Sequence, residues 1–204
     1  MPFVETQDKR RILFIHVPKT GGTSVEDWMQ TLGTLRLHHP AIPVALKCTP
    51  QHLRMSDLNN LFGKRYFDYA FMIVRNPYDR IASEYRMRAE LQADSFFRMW
   101  PSFSHWLEVH LDKLRESPWM MDNHLRPQWE FHGSGVRVFK LEDGLDKALA
   151  KVARSNDVAP PAEVAHRLKT DKSPVEIEWD ISDRLRIEDT YAKDFEEFGY
   201  DQIR

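Results

Sequence analysis

Apolar positions cluster in short runs along the chain, and each run is followed by a turn and then by helical spacing. Ile12-Leu13-Phe14-Ile15-His16-Val17 is the first such run and Tyr69-Ala70-Phe71-Met72-Ile73-Val74 the second. Short, nearly continuous apolar runs bounded by turn residues predict strands buried on both faces. After the first, Pro18 to Ser24 reads as a turn, and Val25, Trp28, Met29 and Leu32 recur at helical intervals. After the second, Asn76 is an N-cap residue followed by Pro77 at the first helical position. The helix it opens runs from Tyr78 to about Leu91, with Tyr78, Ile81, Ala82, Tyr85 and Ala89 along one face. Val136 to Leu141 repeats the strand pattern, with a helix from Leu145 to Ala153 behind it.

The other segments are less regular. Met1 to Arg11 is polar, and Gly33 to Pro50 is broken by Pro40, Pro43 and Pro50, with Val44-Ala45-Leu46 as a short strand. Ser56 is placed to cap a short helix from Asp57 to Leu61. Ser95 to Phe131 is rich in Trp and Phe and helical in pieces, including Phe103 to Leu114. Pro160-Pro161 starts a connector that continues through Lys172-Ser173-Pro174. Ile181 to Phe198 reads as one amphipathic helix stopped by Gly199. Strands alternating with helices predict an α/β fold with a central parallel sheet flanked by helices. The 204 residues suit a single domain, residues 1–204.

Composition narrows the function classes. The formal net charge of −2 gives no global basic field, so nucleic-acid binding is not indicated and any anion site is local. Cys48 is the only cysteine, which removes intramolecular disulfides and zinc sites built on several cysteines. The nine histidines show no HExxH or comparable ligand spacing, so no metal is expected. The polar N-terminus lacks an apolar signal-peptide core, and no apolar run is long enough to span a bilayer. A soluble, cytoplasmic protein is the expectation.

The chemistry concentrates at the first turn. A loop that leaves a buried strand and opens a helix gathers backbone N–H groups at the positive end of that helix, where phosphate binds. Gly21 and Gly22 permit close backbone approach, Thr23 and Ser24 add hydroxyl donors, and Lys19 adds a mobile positive charge. A Walker A loop carries its lysine after the glycines, whereas Lys19 precedes them, and the GxGxxG dinucleotide fingerprint is absent.

The segment His16-Val17-Pro18-Lys19-Thr20-Gly21-Gly22-Thr23-Ser24 resembles the 5′-phosphosulfate-binding loop of sulfotransferases. Its Pro-Lys-Thr form is similar to the branch holding carbohydrate sulfotransferases and heparan sulfate 2-O-sulfotransferases. Val74-Arg75-Asn76-Pro77-Tyr78-Asp79-Arg80-Ile81-Ala82-Ser83 resembles the family's second motif, an arginine with a serine eight positions on. Tyr191 to Tyr200 resembles the closing helix of small members. The resemblance implies a P-loop-like three-layer fold that binds 3′-phosphoadenosine 5′-phosphosulfate (PAPS) as donor and releases the 3′,5′-bisphosphate (PAP), without a metal. It assigns Lys19, Thr20, Gly21, Gly22, Thr23 and Ser24 to the 5′-phosphosulfate, and Arg75 and Ser83 to the 3′-phosphate. The acceptor it favours is a carbohydrate hydroxyl.

Sulfuryl transfer needs a base for the attacking hydroxyl, and histidine titrates in the useful range. In the 2-O-sulfotransferase-like branch a catalytic histidine lies between the two motifs, which points to His52, beside Lys19 as the second catalytic residue. His38 and His39 occupy the same interval and remain rivals, and Glu26 is a minor alternative. His16 reads as a structural histidine, while His124 resembles a further family segment that contacts acceptor or cofactor. Trp100, Trp106, Trp119 and Trp129 suit aromatic core better than a sugar-stacking wall. Arg86 and Arg88 either extend the anion site or face water, and Lys169 to Ser173 resembles a loop closing over the nucleotide. The competing functions are a nucleotide-dependent phosphotransferase and a non-catalytic binder of adenosine bisphosphate.

Overall fold

The computed structural model describes residues 1–39, 41–92, 99–163 and 175–203. They fall into two compact units, Met1–Arg75 with Gln128–Arg167, and Asn76–Pro127 with Leu168–Arg204.

The first unit is built on a five-stranded sheet. Its strands are β1 (Phe3–Glu5), β2 (Arg11–Ile15), β3 (Leu35–Arg36), β4 (Tyr69–Val74) and β5 (Val136–Lys140), in the order β3-β1-β2-β4-β5. β2, β4 and β5 are parallel, with Ile15 opposite Met72 and Val74 opposite Lys140. The central parallel sheet thus holds for three strands. β1 and β3 add an antiparallel edge, so the whole sheet is mixed. Helix α1 (Gly22–Leu32) follows β2, α2 (Met55–Phe62) precedes β4, and α5 (Leu145–Asn156) follows β5.

The apolar alternation of these helices explains the core. Val25, Trp28 and Met29 of α1 join Leu149 and Val152 of α5 against Phe14 and Phe71 of the sheet, all essentially buried. Each such side chain contributes about 1.5–3 kcal/mol by leaving water.

The second unit is helical: α3 (Pro77–Gln92), α4 (Phe103–Glu116), α6 (Ile181–Thr190) and α7 (Ala192–Phe198). Asn76 accepts the Tyr78 N–H at 3.0 Å, the cap that the sequence predicts. Tyr78, Ile81 and Tyr85 pack with Trp106, Ile187 and Tyr191 in a largely aromatic core. Trp106 is therefore core, and the Trp119 ring lies under the Arg126 guanidinium, 4.6 Å away. Among the described residues no helix is long and apolar enough to cross a membrane.

Several predicted elements are corrected. Val44-Ala45-Leu46 is a turn, closed by the Leu46 N–H to the Pro43 carbonyl, and Val44 is fully exposed. Ser56 lies inside α2: Arg54 is the N-cap, and the Asp57 carboxylate accepts its N–H at 2.8 Å. The final helix is two helices, because Tyr191 leaves helical geometry to bury its ring and donate its hydroxyl to the Leu125 carbonyl at 2.8 Å.

Candidate active site

The carboxyl ends of β2, β4 and β5 share one edge of the sheet, the edge where open α/β sheets bind ligands. Thr20 steadies the turn after β2 by donating its hydroxyl to the Val17 carbonyl at 2.8 Å. Lys19 adopts φ of 67°, a left-handed conformation uncommon for a residue with a side chain. Gly21 follows at φ of 88°, where glycine alone is free of strain. Left-handed residues of this kind are elements from which backbone anion nests are built. The first helical bonds run from Ser24 and Val25 to the Gly21 carbonyl, so Gly22 and Thr23 lie ahead of the intrahelical ladder. Gly21 also approaches the turn after β5, where an added methyl would lie 3.3 Å from Leu145.

Arg75 stands at the end of β4. Its Nη1 donates to the Lys19 carbonyl at 3.4 Å, which ties the turn after β2 to the end of the neighbouring strand β4. The buried Gln128 side chain clamps its backbone from both sides. Gln128 Oε1 accepts the Arg75 N–H at 2.9 Å and Nε2 donates to the Arg75 carbonyl at 2.8 Å. Gln128 carries no titratable or nucleophilic group, and sequence reasoning passed over it for that reason.

Beside the loop lies a group of imidazoles around one carboxylate. His16, just past β2, and Glu26, in the second turn of α1, are both buried, with His16 Nδ1 2.7 Å from Glu26 Oε1. His38 Nε2 lies 3.4 Å from the other oxygen, Glu26 Oε2. His52 closes the 3₁₀ turn Pro50–His52, is 3% exposed, and meets the His16 ring edge-on with centroids 5.0 Å apart. The Thr49 hydroxyl is 3.3 Å from His52 Nδ1. Burial alone would raise the Glu26 pKa. The His16 hydrogen bond, with the charges of His16, His38 and His52, outweighs burial and holds the carboxyl below its usual range. His39 stands apart, its Nδ1 engaged by the Ala41 N–H at 3.1 Å. The sequence placed Glu26 among the minor candidates, yet it is the hub that the three histidines share.

Ser83 and His124 belong to the second unit. Ser83 is buried on α3. His124 Nδ1 is 2.7 Å from the Glu84 carboxylate, and Arg88 Nε donates to the same carboxylate at 2.8 Å. Arg88 is thereby an ion-pair partner within the unit. Three consecutive residues before His124, namely Met121, Asp122 and Asn123, have φ between 50° and 65°. The segment Lys169 to Ser173 lies outside the described residues.

The Lys19 turn, Arg75 and the histidine group around Glu26 thus lie together near the carboxyl ends of the parallel strands. The chain belongs to the sulfotransferase family, whose model matches residues 3–201. Sulfuryl transfer is the chemistry of that family. Neither a curated protein nor a solved structure matches the chain.

Proposed function

We propose that this protein transfers the sulfuryl group of PAPS to a hydroxyl acceptor, a carbohydrate hydroxyl first among the candidates, with His52 as general base. The observation that carries the reading is the pairing of Arg75 Nη1 with the Lys19 carbonyl beside the left-handed loop. Lys19 and the amides of Thr20 to Ser24 would hold the 5′-phosphosulfate, and Arg75 and Ser83 the 3′-phosphate. Residues 1–204 are proposed as one catalytic domain, a reading supported by a family match that reaches into both units.

His52 accepts the hydroxyl proton as the acceptor oxygen bonds to sulfur and the bond between sulfur and the phosphate oxygen breaks. Charge then collects on the departing 5′-phosphate. Lys19 and the preorganised amides meet that charge, the arrangement that stabilises such transition states most. In this scheme the neutralising charge comes from side chains and amides rather than from a metal ion, and PAP leaves as product.

Calorimetric titration with PAP, adenosine 5′-phosphate and ATP with Mg²⁺ tests the donor. Selective binding of PAP supports the reading, and preference for ATP with Mg²⁺ replaces it by phosphoryl transfer. Turnover of labelled PAPS over a panel of sugar and non-sugar alcohols tests the acceptor class and separates an enzyme from a mere binder.

A further inference from the structure

Glu26 is buried, 7% exposed, on the helix that the Lys19 turn opens. A carboxylate only accepts, so the His16 nitrogen facing it, Nδ1, carries a proton in either charge state of the ring. The other nitrogen, Nε2, packs on the loop itself: a methyl added to Gly22 would sit 1.9 Å from it. His16 is thereby locked in one tautomer and wedged between Glu26 and the anion loop, with its ring against the edge or face of His52. The titratable groups acting on Glu26 come from three elements: His16 from the end of β2, His38 from the segment after β3, and His52 from its 3₁₀ turn.

We propose that Glu26 is a positioning residue for the base: it fixes the His16 ring that supports His52, and supplies a preset negative charge for the imidazolium formed when His52 takes the acceptor proton. The inference rests on His52 as base. Its logic is that of a buried carboxylate behind a catalytic imidazole, here acting across an intervening ring rather than through a direct hydrogen bond. A carboxylate among imidazoles suits this task because its field favours the charged ring, and the groups seen to lower its pKa among the described residues are imidazoles. Direct proton abstraction by Glu26 does not fit, since Oε1 is engaged by His16 and Oε2 faces His38.

The test is a residue-resolved NMR titration of the His52 imidazole in the full chain, which needs neither donor nor acceptor. In Glu26→Gln the His52 midpoint is expected to fall by about one pH unit, the lower end for loss of a nearby opposite charge. In His16→Gln, which keeps the carboxylate, the midpoint is expected to stay or rise. The acid limb of the kcat profile should follow the midpoint in both variants, and Glu26→Asp should recover part of the shift. A purely structural Glu26 would lower thermal stability in Glu26→Gln and leave the midpoint in place, which overturns the proposal. A fall of the midpoint in His16→Gln overturns it equally, and that variant decides the matter if Glu26→Gln does not fold. Failure of PAP to bind the wild-type chain would instead remove the donor reading and leave the titration result standing.

Discussion

Each unit buries a glutamate against a histidine at 2.7 Å, and the two pairs differ in what else surrounds the carboxylate. In the first unit Glu26 is surrounded by imidazoles, with His16 and His38 on its two oxygens. In the second unit Glu84 is fully buried and also holds Arg88, a cation at every accessible pH. Burial would raise the Glu84 pKa, but His124 and Arg88 bring it down to about 2. The same pair of residue types thus sits among further imidazoles in one place and beside a guanidinium in the other. The difference lies in one guanidinium, placed by an i, i+4 step on α3.

Substitutions at the two clusters should break this comparison in opposite ways. His52→Ala should lower kcat by about 10²–10⁴-fold and leave PAP affinity nearly unchanged, measured by steady-state kinetics and calorimetry. His38→Ala and His39→Ala should do much less. Glu84→Ala should instead cost about 3–5 kcal/mol of stability, because it strands Arg88 and His124 without their carboxylate. Urea unfolding measures it, and a cost under about 1 kcal/mol would mean that the cluster is solvated after all.

The pH dependence sharpens the contrast. A carboxyl whose folded pKa lies below its unfolded value stabilises above the unfolded value and loses that stabilisation as pH falls through the folded one. The Glu84 contribution should therefore be intact at pH 5 and disappear between about 4.5 and 2. Unfolding midpoints of wild type and Glu84→Gln should converge across that window.

Smaller effects follow. Arg75→Ala should weaken PAP about tenfold or more, and adenosine 5′-phosphate far less, if the guanidinium meets the 3′-phosphate. Equal weakening of both nucleotides would move Arg75 to the 5′ side. Asn76→Ala removes the cap on the Tyr78 N–H and should cost about 1 kcal/mol.

The elements most legible in the sequence were those whose signals are local. Strand β4 begins at Tyr69 and ends at Val74 as predicted, since the apolar run coincides with the strand and Asn76-Pro77 marks the next helix. β1 was missed because Phe3 and Val4 are its only apolar residues. It forms by pairing backward onto β2, with Phe3 opposite Leu13. The break at Tyr191 carries no proline or glycine; it is set by burial of that ring among distant residues, including Arg80, whose guanidinium lies 5.3 Å from it. At the site, the Lys19 loop and Arg75 were readable because their spacing carries the chemistry. The grouping of His16, His38 and His52 around Glu26 was not, because it depends on how three separate segments return to the end of β2.

The Gln128 clamp has a consequence for how the site opens. One side-chain amide satisfies both the N–H and the carbonyl of Arg75, as a neighbouring strand residue would, and so extends β4 by one rung without a partner strand. The Arg75 amide should then exchange with deuterium as slowly as those of Ile73 and Val74, although it lies beyond the last paired residue. In Gln128→Ala the protection should collapse at Arg75 first, and the arginine would fray from the sheet while the strand behind it stays closed.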